Sequence, residues 1–270
     1  SIPVVYEIDD SLLNIVDANP ASKYYGRPDI QFCLKHILKD VDYMSVSTNH
    51  LANYYKEYVR DSNNIEVLPN SLDLTAPIDR AIVPPSPAQF KILLTGGISH
   101  KADWAFLEGI IRDLTAESRG KISFTVFGYV PEDFKNILGL RIISPVTVER
   151  YFGILSSIDF DLMIAPLEDI EFNYSKSNLK FVEAGALAKP LLGSDVLAYN
   201  QDIINEKNGW LLKNNPYWWA KTIRKLASNK DKVKEAGKEA YKLVESKYNL
   251  EYNWKLWYDF YNKIITEYKK

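Results

Sequence analysis

Residues 172–195 read FNYSKSNLKFVEAGALAKPLLGSD, and the first half gathers side chains that suit one kind of chemistry: Ser175, Lys176, Ser177 and Lys180. Two cations and two hydroxyls at the start of a helix suit an anion, because the free N–H groups and the dipole there already favour negative charge. Glu183 stands further along the same helix and offers a carboxylate to hydroxyls on whatever carries the anion. Together these residues describe a phosphate site with an acceptor placed for a polar group such as a ribose. They equally suit a solvated helix cap, so the elements around them have to decide.

Leu179, Val182, Ala186 and Leu187 recur at helical spacing and predict a helix over 178–188, stopped at Lys189-Pro190. Residues 161–166 and 190–194 read as buried strands on either side. In such a strand, loop, helix, strand unit the loop and the first helical turn lie at the strand's carboxyl end, where α/β sheets bind ligands.

The same alternation runs along the chain. Strands are expected up to Ile8 and over 43–47 and 65–68, with helices over 30–39 and 50–59 and a loop between Asp9-Asp10 and Pro28. Four prolines within 75–87 mark a linker. Beyond it, strands are expected over 90–95, 122–127, 141–143, 160–165 and 209–212. Helices are expected over 104–114, 133–137, 148–155, 200–204, 218–226, 230–247 and 250–268. Strands alternating with helices imply parallel sheets, and the restart after a linker implies two Rossmann-like units. The expected division is 1–74 for a partial first unit, 75–89 for the linker, 90–249 for the second unit and 250–270 for an aromatic helix returning to the first. An aromatic stripe at that spacing suits packing better than ligand binding.

With 270 residues, 46% of them hydrophobic and 25% charged, the chain can bury a sizeable core. A formal net charge of −2 gives no general attraction to nucleic acid, and no nucleic-acid partner is expected. The single Cys33 excludes an internal disulfide and fits a reducing compartment. Without a signal peptide or a run of membrane-spanning length, a cytoplasmic location is expected. The strand-like run that begins at residue 2 implies that upstream strands lie outside this chain.

Four segments carry a resemblance: VDYMSVSTNHLANYYKEY with IEVLPNSLDL, KILLTGGISHKADWAFL, DLMIAPLEDIEFNYSKSNLKFVEAGALAKPLLGSD, and NGWLLKNNPYWWAKTIRKLASN. Over most of residues 41–229 the sequence resembles the retaining nucleotide-sugar-dependent glycosyltransferases of family 4, which have the GT-B fold of two Rossmann-like units around a cleft. The resemblance implies transfer of a sugar from a nucleoside-diphosphate donor to a glycan or lipid-linked acceptor with retention, as in bacterial surface polysaccharide or glycoprotein glycan synthesis. It implies no cofactor and no metal. A lipid-linked acceptor implies peripheral association with the inner face of a membrane.

The family's donor motif has two glutamates. The second matches Glu183, which the resemblance assigns to the ribose; the first falls on Ser175, where this sequence departs from the pattern. Lys176, Ser177 and Lys180 then become diphosphate residues, with Lys176, Lys180 and Glu183 the candidate catalytic set. Gly96, Gly97, Ser99, His100, Lys101, Asn173, Asn178 and Leu179 complete the expected donor contacts, with His100 and Lys101 only loosely matching the family's basic residues. Asp9 and Asp10 would border the acceptor, although adjacent carboxylates at a strand end also suit a turn. Asn173 equally suits a loop cap. His36 and His50 lie on predicted helices without further ligands at metal spacing. The departure at Ser175 leaves open a non-catalytic partner subunit or a plain nucleotide-sugar-binding module; a GT-B epimerase would need acid and base residues that the sequence does not offer.

Overall fold

The computed structural model describes residues 2–75 and 89–269. The linker expected over 75–89 therefore falls almost wholly outside the described residues. The first unit is a parallel sheet of β1 (Val5–Ile8), β2 (Tyr43–Val46) and β3 (Ile65–Val67) in the order β1-β2-β3. It carries α1 (Ser22–Tyr25), α2 (Pro28–Asp40) and α3 (Asn49–Tyr55). Pro28 opens α2, Asp29 and Lys39 match its dipole, and Leu34 and Leu38 bury one face. Thr48 caps α3, its Oγ1 accepting from the Leu51 N–H at 3.1 Å.

The second unit is a six-stranded parallel sheet: β4 (Phe90–Gly96), β5 (Ile122–Gly128), β6 (Arg141–Ile143), β7 (Leu162–Ala165), β8 (Leu191–Ser194) and β9 (Gly209–Leu212). Its order is β6-β5-β4-β7-β8-β9. The direction of winding reverses between β4 and β7, and loops leaving those two strands part in opposite directions to leave a crevice. The connections are α4 (Lys101–Trp104), α5 (Leu107–Glu117), α6 (Glu132–Lys135), α7 (Val148–Ser157), α8 (Glu171–Tyr174), α9 (Leu179–Ala186) and α10 (Leu197–Asn200), followed by α11 (Pro216–Ala227), α12 (Lys230–Lys247) and α13 (Leu250–Tyr268). Asn215, Asn229 and Asn249 cap the last three.

Side-chain alternation splits β4 between two cores. Ile92 and Leu94 join Leu107 and Ile111 of α5 and Trp219 and Ile223 of α11. Leu93 joins Met163, Leu191, Phe181 and Val182 of α9, and Ala240 and Val244 of α12, on the other face. Helix α12 passes so close to the end of α9 that a Cβ on Gly237 would lie 2.2 Å from the Ala188 carbonyl oxygen. Helix α13 returns to the first unit, where Phe260 and Ile264 meet Leu68 beside Val5 and Tyr43. The Tyr43 hydroxyl donates to Glu267 Oε2 at 2.6 Å. At the crossing, the Leu72 N–H donates to the Tyr248 carbonyl and the Leu250 N–H to the Leu72 carbonyl, both at 2.9 Å.

Two helices differ from the sequence expectation. The one expected over 104–114 is divided into α4 and α5, because the buried Asp103 carboxylate is bonded across the sheet and ties the first turn to the loop after β7. The one expected over 200–204 lies earlier, at α10, where burial of Ala198 and Tyr199 outweighs the weaker pattern of Ile203 and Ile204. Among the described residues no helix is long and apolar enough to cross a membrane.

Candidate functional site

The crevice is built first from the end of β4. Gly96 and Gly97 lead into a single turn of 3-10 helix, Ile98–His100, and then into α4. A Cβ on Gly96 would lie 2.8 Å from His100 Cδ2 and 2.9 Å from Trp104 Cζ2, so the absent side chain is what lets the imidazole lie over the strand end. His100 Nδ1 bonds Asp103 Oδ2 at 2.9 Å. The other oxygen of Asp103 accepts from the Glu168 N–H at 2.8 Å and from Asn173 Nδ2 at 3.2 Å. Asn173 also donates to the Glu168 carbonyl at 2.9 Å, so of its two expected roles the geometry displays loop-holding. Ser99 is half-buried next to His100, whereas Lys101 is exposed at the start of α4.

The second wall is the loop after β7. Ser175 is buried, its Oγ has no partner, and its carbonyl accepts from Thr48 Oγ1 of the first unit at 3.2 Å. Ser177 Oγ accepts from Asn70 Nδ2 at 3.0 Å, a second bond between the units. Asn178, just before Leu179 opens α9, is committed elsewhere: its Nδ2 donates to Asp202 Oδ2 at 2.6 Å and to the Tyr248 hydroxyl at 2.8 Å. Lys176 is different. Its Nζ stands 5.4 Å from the centre of the Phe172 ring and has no hydrogen bond or ion pair among the described residues.

Lys180 and Glu183 are brought together but not left free. Lys180 Nζ lies 2.8 Å from Glu183 Oε2 and 3.1 Å from the Tyr151 hydroxyl, which itself donates to Glu183 Oε2 at 3.0 Å. Tyr151 stacks on Phe127 at the end of β5. Glu183 is buried, and its hydrogen bonds among the described residues all fall on Oε2. Lys180 therefore neutralises Glu183 at rest, which the sequence pattern, reading it as a phosphate cation, did not indicate.

From the first unit, Asp9 is exposed and lies at 3.4 Å from Asn70 Nδ2. Asp10 is deeper. Burial pushes its carboxyl above the usual range, the charge of Lys176 opposes this, Asp9 adds to it and His100 opposes it. Two cavities meet at Lys176. One, of about 180 Å³, is lined by Thr48, Asn70, Ser177, Asp202 and Tyr248 among others; the other, smaller, includes Asn19, Ser99, Asp103 and Asn173. A larger one, of about 550 Å³, opens at the amino ends of β4 and β5, lined by Phe90, Ile122, Glu117 and Arg224. It lies opposite the crevice and holds none of the candidate residues.

Sequence reasoning missed Asp103, Tyr151, Thr48, Asn70 and Asp202. Asp103 had a signal, its i,i+3 spacing from His100. Tyr151 had none, because the contact with Glu183 spans 32 residues.

No family model and no curated protein matches the sequence. Solved structures do. Anabaena HepE in complex with UDP-glucose is 11% identical with a TM-score of 0.68, covering 98% of this chain and 72% of that one. Sucrose-phosphate synthase from Thermosynechococcus elongatus is 16% identical with a TM-score of 0.67, covering 97% and 68%. S. aureus TarM in complex with UDP and alpha-GlcNAc-glycerol is 17% identical with a TM-score of 0.65, covering 87% of this chain and 46% of that one. The chain thus spans less than half the length of TarM and about two thirds of the others. These neighbours are GT-B glycosyltransferases. The α/β chain, with parallel sheets of three and six strands, has the GT-B fold.

Proposed function

We propose that this chain binds a nucleoside-diphosphate sugar in the crevice between its units and serves a retaining, family 4-like, metal-independent glycosyltransferase acting on a glycan or lipid-linked acceptor. The observation that carries the reading is Lys176: an ammonium without a hydrogen bond or ion pair among the described residues, beside the first turn of α9, at the switch point of the sheet. In the transfer, the bond between the anomeric carbon and the phosphate oxygen breaks with its electron pair on the oxygen. The acceptor oxygen bonds that carbon, and its proton passes to the departing phosphate. Lys176 and the helix N-terminus stabilise the charge as it develops there, a role a divalent ion fills in other enzymes. Glu183 Oε1 receives the ribose hydroxyls, and Asp10 faces the acceptor from the first unit.

A second reading has its own support. Ser175 Oγ is buried and unpartnered where the resemblance places a glutamate, which favours a nucleotide-sugar-binding unit without turnover. A thermal-shift panel of nucleotide sugars, with and without chelator, followed by donor turnover with and without acceptor, tests both. Saturable, chelator-insensitive binding supports donor recognition. Turnover separates enzyme from binding unit, and no binding to any nucleotide sugar overturns the proposal.

A further inference from the structure

The pairing of His100 with Asp103 constrains the chemistry of the crevice beyond donor binding itself, in a way that depends on a nucleoside-diphosphate sugar occupying it as proposed. An ionised carboxylate only accepts hydrogen bonds. Asp103 has one oxygen on His100 Nδ1 at 2.9 Å and the other on the Glu168 N–H at 2.8 Å, so it is oriented from two sides, and Nδ1 must carry the hydrogen. The ring is held from a third side by stacking on Trp104. Nε2 is the remaining ring nitrogen, and its neighbour Cδ2 lies against Gly96, which places that edge of the imidazole at the carboxyl end of β4.

In the neutral ring, with Nδ1–H committed to Asp103, Nε2 carries only a lone pair, which repels a phosphate oxygen brought against it. Only the imidazolium has a second N–H to donate. We infer that Asp103 is a positioning residue that makes His100 a pH-gated cation for the diphosphate, able to engage it only when protonated. Asp103 on its own turn bonds the ring, Asp10 of the first unit feels the charge of His100 as it does those of Asp9 and Lys176, and Lys101 is next in sequence. Donor binding at a pH where His100 is neutral then takes up a proton, and affinity declines on the alkaline side by about tenfold in total, toward that of a chain without the imidazolium.

The test uses UDP-glucose and GDP-mannose, whose diphosphates are esterified at both ends and do not titrate between about pH 5.5 and 8.5, the range where an imidazole does. Calorimetry across that range, in buffers of different ionisation enthalpy, reads affinity and proton uptake together. The wild type is expected to show the alkaline decline with uptake of a proton. His100→Gln is expected to bind about tenfold more weakly at the acid end with no decline, and His100→Lys to keep affinity with no decline. Asp103→Asn is expected to move the decline to lower pH. Nitrogen-detected NMR of the free protein should find neutral His100 with its hydrogen on Nδ1. A decline that persists in His100→Gln, pH-independent binding by the wild type, or a hydrogen on Nε2 overturns this inference and leaves donor binding standing. Failure of every member of the nucleotide-sugar panel to bind at the acid end overturns the two together.

Discussion

Lys180 Nζ and Glu183 Oε2 stand 2.8 Å apart on adjacent turns of α9, and the Tyr151 hydroxyl reaches both. Burial lowers the pKa of Lys180, but Glu183 and Tyr151 raise it by more and the net direction is up. Burial, with the Glu183 charge adding to it, pushes the Tyr151 phenol up to about 12. A lysine whose folded pKa is raised contributes stability in full below its unfolded value and loses it only as pH rises through the folded one. The Lys180 ammonium and the neutral Tyr151 phenol therefore persist across the neutral range.

Lys180→Met leaves Glu183 buried without its cation and is expected to cost about 3–5 kcal/mol, the range for breaking one side of a buried pair. The double variant Lys180→Met with Glu183→Gln should recover a large part of the loss. Urea unfolding of the three proteins checks this, and a single variant as stable as the double one removes the pair from the stability of α9.

Lys176→Ala gives up only the approach to the Phe172 ring and the charge opposite Asp10, so its stability should stay within about 1 kcal/mol of the wild type. Turnover should fall further than donor affinity, because the charge is needed most as the phosphate departs. Steady-state kinetics decides: an effect confined to KM shows that Lys176 binds ground state and transition state alike.

Asp10→Asn should raise the melting temperature at pH 7. The folded carboxyl has a raised pKa, so ionising it costs stability, and that cost is present above the folded pKa and vanishes below the unfolded value of 3.8. The gain should therefore disappear in strongly acid buffer while acceptor-dependent turnover falls at neutral pH. Equal melting temperatures at pH 7 would show that Asp10 is solvated enough to ionise freely.

Gly237→Ala drives a methyl into the Ala188 carbonyl, 2.2 Å away, and should cost about 1–3 kcal/mol by overpacking the α9–α12 contact. Gly109→Ala is the control, since a Cβ there meets nothing within 4 Å on the exposed side of α5. It should gain about 0.5–1 kcal/mol from helix propensity. Shifts of opposite sign in the two thermal denaturations check the packing directly.

Elements longer than one period of their pattern were legible in the sequence. The strands expected over 141–143 and 209–212 and the helices over 230–247 and 250–268 coincide with Arg141–Ile143, Gly209–Leu212, Lys230–Lys247 and Leu250–Tyr268. The single-turn helices Ser22–Tyr25 and Glu171–Tyr174 were not, because four residues give no periodicity to read. The gathering of Ser175, Lys176 and Ser177 on one loop was legible because their proximity is local. What the sequence withheld is long-range: Asn173 reaches Asp103 across 70 residues and Asn70 reaches Ser177 across 107. Such contacts decide which side chains are occupied and which, like Lys176, keep no hydrogen bond or ion pair among the described residues.

Helix α13 supplies Phe260 and Ile264 to a cluster whose other buried member is Leu68. During synthesis the ribosome releases Leu68 long before Phe260. At about 5–20 residues per second, the first sheet waits roughly 10–40 s for the side chains that cover it. The second sheet, whose strands and helices follow one another closely along the chain, can close in that interval. The unit made first is thus the unit finished last, and in the meantime its apolar surface is available to chaperones.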